Sequence, residues 1–417
     1  METKRIVVTG IGCVTPLGNN LQDYWTNLVN GVSGADMITL FDASKFKTRF
    51  ACEVKNFDPT VYIDKKDARK IDRFAQLAIA AGDQALADAG LNKDNIDSDR
   101  TGVVLGSGIG GLITFQNEVI DFARGDGTPH FNPFFIPKMI LDSAPGHISI
   151  RYNLRGPNFS TVSACASSTH SISIASDLLR LNKADIIVTG GSEAAVNEAG
   201  VGGFNALKAM SVRNDDPKTA SRPYDKDRDG FVLGEAGAVI ILETLEHALA
   251  RGAKIYCEIA GSASTADAYH ITAPHPEGLG AKNVMYNALL DAHMKPEDID
   301  YINTHGTSTP LGDIPEVRAI ENVFGEHAYK LNISSTKSMT GHCLGAAGAI
   351  EAIAIIQSVI NDIVPPTINH FTDDEQLDPR LNFTFNKAQK RTVNAALSNT
   401  FGFGGHNAAI IVKKYIP

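Results

Sequence analysis

Cys165, His305 and His342 are the side chains in this sequence whose surroundings suit nucleophilic chemistry. Cys165 closes a β-branched, strand-like run from Asn158 to Ser163. It opens a segment of small residues in which Ile172, Ala175, Leu178 and Leu179 fall on one helical face. A sulfur at such a strand-to-helix bend meets the free N–H groups and partial positive charge of the helix start, which predicts a lowered thiol pKa. Both histidines lie in polar loops containing glycine. Asn303-Thr-His305-Gly-Thr307-Ser-Thr309-Pro follows a predicted strand, and Lys337-Ser-Met-Thr-Gly-His342 leads into an apolar helix. A third loop, Asn399-Thr-Phe401-Gly-Phe403-Gly-Gly405, has the glycines that let backbone N–H groups approach a ligand. Together these residues predict covalent catalysis through an activated thiol.

The elements needed to hold these loops read as an α/β chain. Predicted strands at Arg5–Thr9, Thr101–Gly106 and Ile186–Gly190 alternate with helices, among them a long amphipathic one from Arg73 to Gly90. A strand at Val239–Glu243 and a helix at Leu245–Arg251 close a first half, placing the boundary near residue 252. The second half, 253–417, starts again with Ala253–Ala260, a helix ending near His293, a strand at Tyr301–Thr304, a helix at Gly345–Ile360 and a last strand at Ala408–Lys413. Ile186-Ile-Val-Thr-Gly-Gly191 resembles Ala396 to Gly405 in being a strand of small residues that runs into glycines, which suggests a duplicated core.

Two rival chemistries are weaker. Gly106-Ser-Gly108-Ile-Gly110-Gly111 satisfies G-x-G-x-x-G after a strand, but no second strand ending in a ribose-binding acid follows about 20 residues later. The glycines therefore read as a tight turn with close backbone packing. No G-x-S-x-G elbow for a serine hydrolase occurs.

Composition bounds the rest. The 417 residues, 43% hydrophobic and 20% charged, suit two core units. Five scattered cysteines imply neither a disulfide framework nor a zinc cluster, so no metal is expected and a reducing cytoplasm fits. No signal peptide and no apolar stretch of membrane-spanning length is recognised, which predicts a protein with no membrane role. A net charge of −9 argues against nucleic acid. Lys66, Arg69, Lys70 and Arg73, at helical spacing, predict a local basic face for an acidic partner.

Five motifs, in family order, give the chain its resemblance to the β-ketoacyl-[acyl carrier protein] synthases, above all the elongating type II enzymes. They are Val162-Ser-Ala-Cys165-Ala-Ser, Arg222-Pro-Tyr-Asp-Lys-Asp-Arg-Asp-Gly-Phe231, His305-Gly-Thr-Ser-Thr-Pro, Lys337-Ser-Met-Thr-Gly-His342 and Gly402-Phe-Gly-Gly405. The resemblance covers essentially the whole chain. It implies a thiolase-like fold, a five-layer αβαβα built from two similar duplicated halves, usually as a homodimer. The first half (1–252) would carry the nucleophile and the second (253–417) both histidines.

The resemblance also implies roles. Cys165 would take an acyl group from the 4′-phosphopantetheine of acyl carrier protein, with no other cofactor. His305 and His342 would stabilise the enolate formed when malonyl-carrier protein loses CO2, and Cys165 and Phe403 would supply an N–H oxyanion hole. Lys337 would tune the His342 region, with Glu351 beside it at the substrate site. Thr307 and Thr309 would bind pantetheine, Phe403 would act as the gate, Phe401 would bind substrate, and Phe231 would line the malonyl approach and Ile109 the acyl pocket. Lys66, Arg69, Lys70, Lys208 and Arg213 would meet the acidic carrier protein. Ala166, the Gly234-Glu-Ala-Gly-Ala238 order and His406 after Gly405 depart from the usual pattern without removing a catalytic group. Polyketide and aryl polyene ketosynthases working with a chain-length-factor partner share these residues and form the alternative. An inactive chain-length factor or acyl-carrier scaffold would instead lack an acylatable Cys165, and a thiolase would carry a second reactive cysteine near the C-terminal glycine loop, where this chain has Phe401 and Phe403.

Overall fold

Alternation along the strands decides the layering. In the computed structural model, which describes residues 4–417, ten strands form one mixed sheet. They are β1 Ile6–Val14, β2 Thr101–Gly106, β3 Asn158–Thr161, β4 Ile186–Glu193, β5 Ala236–Thr244, β6 Cys257–Ala266, β7 Tyr301–Asn303, β8 Asn332–Ser334, β9 Ala395–Gly402 and β10 His406–Lys413. Val104, Ile187, Ile240 and Leu242 face one side, and their neighbours Val103, Leu105, Val188 and Ile241 the other. A period of two with both sets buried requires cover on both faces.

Five helices supply most of that cover: α1 Arg73–Asp88, α2 Ser167–Arg180, α3 Leu279–Asp291, α4 Asp313–Phe324 and α5 Ala347–Asn361. One core joins α2 and α5 to the inner faces of both halves, through Ile172, Leu179, Ile353, Ile240 and Ile410. A second sets α1 against the outer face of the first half, and a third sets α3 and α4 against that of the second. The order helix, sheet, helix pair, sheet, helix is the expected five-layer architecture.

The duplication is visible in the pairing. From the seam outward the first half runs β1-β5-β4-β2-β3 and the second β6-β10-β9-β7-β8, the same order of first, fifth, fourth, second and third strands. The first two pairings are antiparallel and the last two parallel in both halves. The halves join where Ile6–Val8 of β1 pairs with Cys257–Ile259 of β6. The two glycine-ended segments likened in the sequence, β4 and β9, are the fourth strand of each half.

Three expectations change. The basic run is not one helix face: its helix covers only Lys65–Ala68, and Arg73, in α1, turns inward to pair with buried Glu235 at 2.6 Å. A stretch long and apolar enough to cross a membrane does exist, Leu344–Asn361, but it is 89% buried and carries Glu351 paired with Lys337. The Gly106–Gly111 turn does open onto a helix, Leu112–Arg124, and β3 beyond it lies parallel to β2.

Candidate active site

The bend that carries Cys165 is short and strained. Three residues after β3 the backbone of Ala164 adopts φ 51°, and a single 3₁₀ turn, Ala164–Ala166, feeds α2. A non-glycine residue in the left-handed region costs free energy, which the surrounding packing offsets. Ser163 N and Ala164 O both bond the Ser167 hydroxyl at 2.9 and 2.7 Å, and Thr161 Oγ1 donates to Ser167 O at 2.8 Å, so the first turn of α2 clamps the elbow.

The second half brings the histidines to this sulfur. His305 follows β7, and its N–H and that of Gly306 donate to the Glu316 carboxylate of α4 at 2.8 Å each. His342 lies within the segment between β8 and α5, anchored by its backbone N–H on Val232 O at 2.7 Å. Its Nε2 lies 3.0 Å from Cys165 Sγ. The imidazoles of His305 and His342 stand nearly perpendicular, at 88°, with centroids 5.3 Å apart. Phe231 meets His342 edge-on at 5.4 Å, and Phe401 flanks His305 at 5.5 Å. The backbone N–H groups of Phe403 and of Cys165 itself lie near enough to the sulfur to lower its pKa, and both residues line one cavity.

Electrostatics corrects the sequence reading of the thiol. Burial pushes Cys165 up to about 12, outweighing Lys337 and the two N–H groups, which pull the other way. Cys165 is 7% exposed, so desolvation of a thiolate exceeds what a single turn of helix start supplies. Burial first, and then the Lys337 charge, hold His305 and His342 well below the usual histidine range. The resting pair is a neutral thiol against a neutral imidazole.

A cavity of about 490 Å³ opens above the sulfur. Every residue expected to catalyse or bind substrate lines it except Lys337 and Glu351. Those two form a buried ion pair behind His342, so Glu351 does not touch a substrate. Burial pushes Glu351 up to about 7 against the pull of Lys337. Thr307 and Thr309 face each other with hydroxyls 3.0 Å apart, Phe231 lies on the wall, and Ile109 sits in the Gly106–Gly111 turn beside Ala164 and Leu344.

The residues expected to meet a carrier protein divide. Lys208, exposed, lines the cavity mouth, whereas Arg213 donates to the Asp227 carbonyl at 2.9 Å. Lys66 and Arg69 are exposed and form no ion pair among the described residues, while Lys70 is held by Asp67 at 2.7 Å. Sequence reasoning missed Phe204, which meets Phe231 at 5.4 Å and Phe403 at 6.5 Å. It also missed the buried carboxylates Glu193 and Glu316. Their one sequence signal is an acid ending a strand of apolar and small residues, or opening a helix beside the loop that carries His305.

Models of the β-ketoacyl synthase N-terminal domain and C-terminal domain match residues 3–248 and 256–371. The chain belongs to the β-ketoacyl synthase family. It is 48% identical to the 3-oxoacyl-[acyl-carrier-protein] synthase 2 of a Synechocystis species over 415 residues, covering 100% of this chain and 99% of that protein. A Coxiella burnetii protein of the same name is 48% identical, with 99% of each chain covered. Among solved structures, a β-ketoacyl synthase from Burkholderia phymatum superposes with a TM-score of 0.92 at 33% identity, covering 99% of this chain and 100% of that one. A type II PKS ketosynthase in complex with its acyl-carrier protein superposes with a TM-score of 0.89 at 32% identity, covering 100% of both chains. The chain therefore has a thiolase-like ketosynthase fold.

Proposed function

We propose that this chain is an elongating β-ketoacyl-[acyl carrier protein] synthase of fatty acid synthesis. The observation that carries the reading is Cys165 Sγ at 3.0 Å from His342 Nε2, inside a cavity shared with His305. An acyl thioester enters on the pantetheine arm of acyl carrier protein, and Cys165 sulfur attacks its carbonyl. The tetrahedral oxyanion points at the N–H groups of Cys165 and Phe403. The pantetheine sulfur leaves with the thiol proton, and the acyl group stays on Cys165 as a thioester. The thiolate needs to exist only as the carbonyl arrives, which a resting pKa of about 12 allows.

Malonyl-carrier protein binds next, its pantetheine amides held by Thr307 and Thr309. Loss of CO2 leaves an enolate whose oxygen accepts N–H bonds from His305 and His342. Neutral imidazoles serve here because a donor, not a charge, is required, and their depressed pKa values keep them neutral. The enolate carbon attacks the acyl-Cys165 carbonyl, forming the C–C bond and freeing the Cys165 sulfur. The product is a 3-oxoacyl-carrier protein two carbons longer. Lys337 acts through the field it sets at both histidines and at the sulfur. No metal takes part, and the only prosthetic group is the one the carrier protein brings.

The same reading makes acyl carrier protein the partner, met by Lys66, Arg69, Lys70, Lys208 and Arg213, in a cytoplasmic homodimer. Exposed Phe159 and Val162 beside the unpaired edge of β3, with Phe115, Phe131 and Phe134 on the segment after β2, give the apolar surface a dimer needs. Intact mass after incubation with acyl-carrier proteins, then malonyl-carrier protein, tests the function. Acylation of Cys165 followed by a ketoacyl product supports it. Acylation without elongation favours the polyketide alternative with a chain-length-factor partner, and no acylation overturns the reading.

A further inference from the structure

Glu193 ends β4 completely buried, and among the described residues no Lys, Arg or His pairs with it. Its oxygens instead accept from a ring of neutral donors. Gly108 N lies at 2.7 Å, Ile109 N at 3.1 and 3.2 Å, Gly110 N at 3.1 Å, Ser107 Oγ at 3.1 Å and Gly345 N at 3.1 Å. Consecutive N–H groups converging on one anion form the nest that phosphate-binding loops present to a ligand. Here the anion is internal, so the Gly106–Gly111 turn has no N–H groups to spare for a dinucleotide. A Cβ at residue 108 or at residue 345 would sit 2.8 or 2.7 Å from Glu193 Oε2, which explains glycine at both places.

The turn so held carries Ile109 into the cavity beside Cys165, and Gly345 belongs to the turn that follows His342. We propose that Glu193 is a positioning residue that sets the length of acyl chain accepted at Cys165, by fixing the Ile109 turn against the Gly345 elbow. The proposal rests on the acyl-transfer reading above. A glutamine at this position keeps the shape but turns an NH2 donor toward N–H donors, which is expected to displace the turn and narrow the cavity at Ile109.

The test alkylates Cys165 with iodoacetamide and with N-alkyl iodoacetamides of increasing tail length, a readout that needs no carrier protein. In Glu193→Gln the long probes are expected to slow by roughly fivefold more than iodoacetamide. Ser107→Ala, which removes one donor and keeps the carboxylate, shifts that ratio by under about twofold in the same direction. The Glu193→Gln, Ile109→Ala double variant is expected to be non-additive, since one residue acts through the other. In the wild type, hydrogen exchange at the Gly108, Ile109 and Gly110 amides is expected to be slow. Equal slowing of short and long probes in a folded Glu193→Gln, or fast exchange of those amides in the wild type, overturns the proposal. Acylation by the carrier protein is scored separately, so loss of that activity in the wild type strikes the proposed function and leaves this readout intact.

Discussion

The elbow at Ala164–Ala166 and its counterpart at Leu344–Ala346 share a backbone. Each follows the third strand of its half, each is one 3₁₀ turn feeding a central helix, and each begins on a left-handed non-glycine residue, Ala164 at φ 51° and Leu344 at φ 46°. They differ at the middle residue, Cys165 against Gly345. Gly345 turns its N–H to the Glu193 carboxylate, and a Cβ there would lie 2.2 Å from Gly108 N. Cys165 instead keeps its N–H beside its own sulfur, facing the cavity. They differ also in the approach: two residues separate β3 from Ala164, and nine separate β8 from Leu344. That longer segment carries Lys337 and His342 across the seam to the first elbow. The two elbows share a frame, but the second binds the Glu193 carboxylate where the first presents the Cys165 sulfur to the cavity.

Making the first elbow like the second has the largest expected effect. Cys165→Gly should lower condensation by at least about 10³-fold while malonyl decarboxylation survives, read as CO2 release against ketoacyl product. Removing what the longer segment delivers comes next. His342→Ala or His305→Ala should lower decarboxylation by roughly 10²- to 10³-fold, with the fold retained by circular dichroism.

Glu351→Gln tests the support behind His342. It leaves the Lys337 charge buried without its partner and should destabilise the chain by about 3–5 kcal/mol in urea unfolding. Gly345→Ala tests the second elbow from the other side, and crowding against Gly108 and Glu193 should cost about 1–3 kcal/mol by the same measurement.

The pH profile separates the two elbows without mutation. Both histidines are depressed by burial, and a depressed histidine stays neutral down to its lowered value, so decarboxylation should be flat from about pH 6 to 8. Cys165 is raised, so its alkylation by iodoacetamide should climb about tenfold per pH unit over the same range. The sign for stability follows: the unfolded histidines bind protons below their ordinary 6.5, the folded ones do not, and stability should fall as pH drops below that value. The smallest effect is at the surface. Lys66→Glu with Arg69→Glu should raise KM for carrier protein several-fold at unchanged kcat, an effect that shrinks with added salt.

Much of this molecule was legible in its residues. The β-branched run before Cys165, the polar glycine loops around His305 and His342, and the matching glycine-ended strands are local patterns, and local patterns report elements and their repetition. Lys337 and Glu351 lie on either side of His342 in sequence, and the structure pairs them. What the sequence could not hold is anything set by distance and burial across the seam. The thiol pKa is the plainest case: a helix start argues for lowering, but closure of the second half over the sulfur removes water and reverses the sign. The basic run is another, since Arg73 follows Lys70 by helical spacing yet turns to Glu235, a residue 162 positions away. Glu193 is the third. As a sequence it is an acid at the end of an apolar strand, and only the fold brings four N–H groups from two halves around it, because hydrogen-bond partners of a buried charge are chosen by three-dimensional proximity.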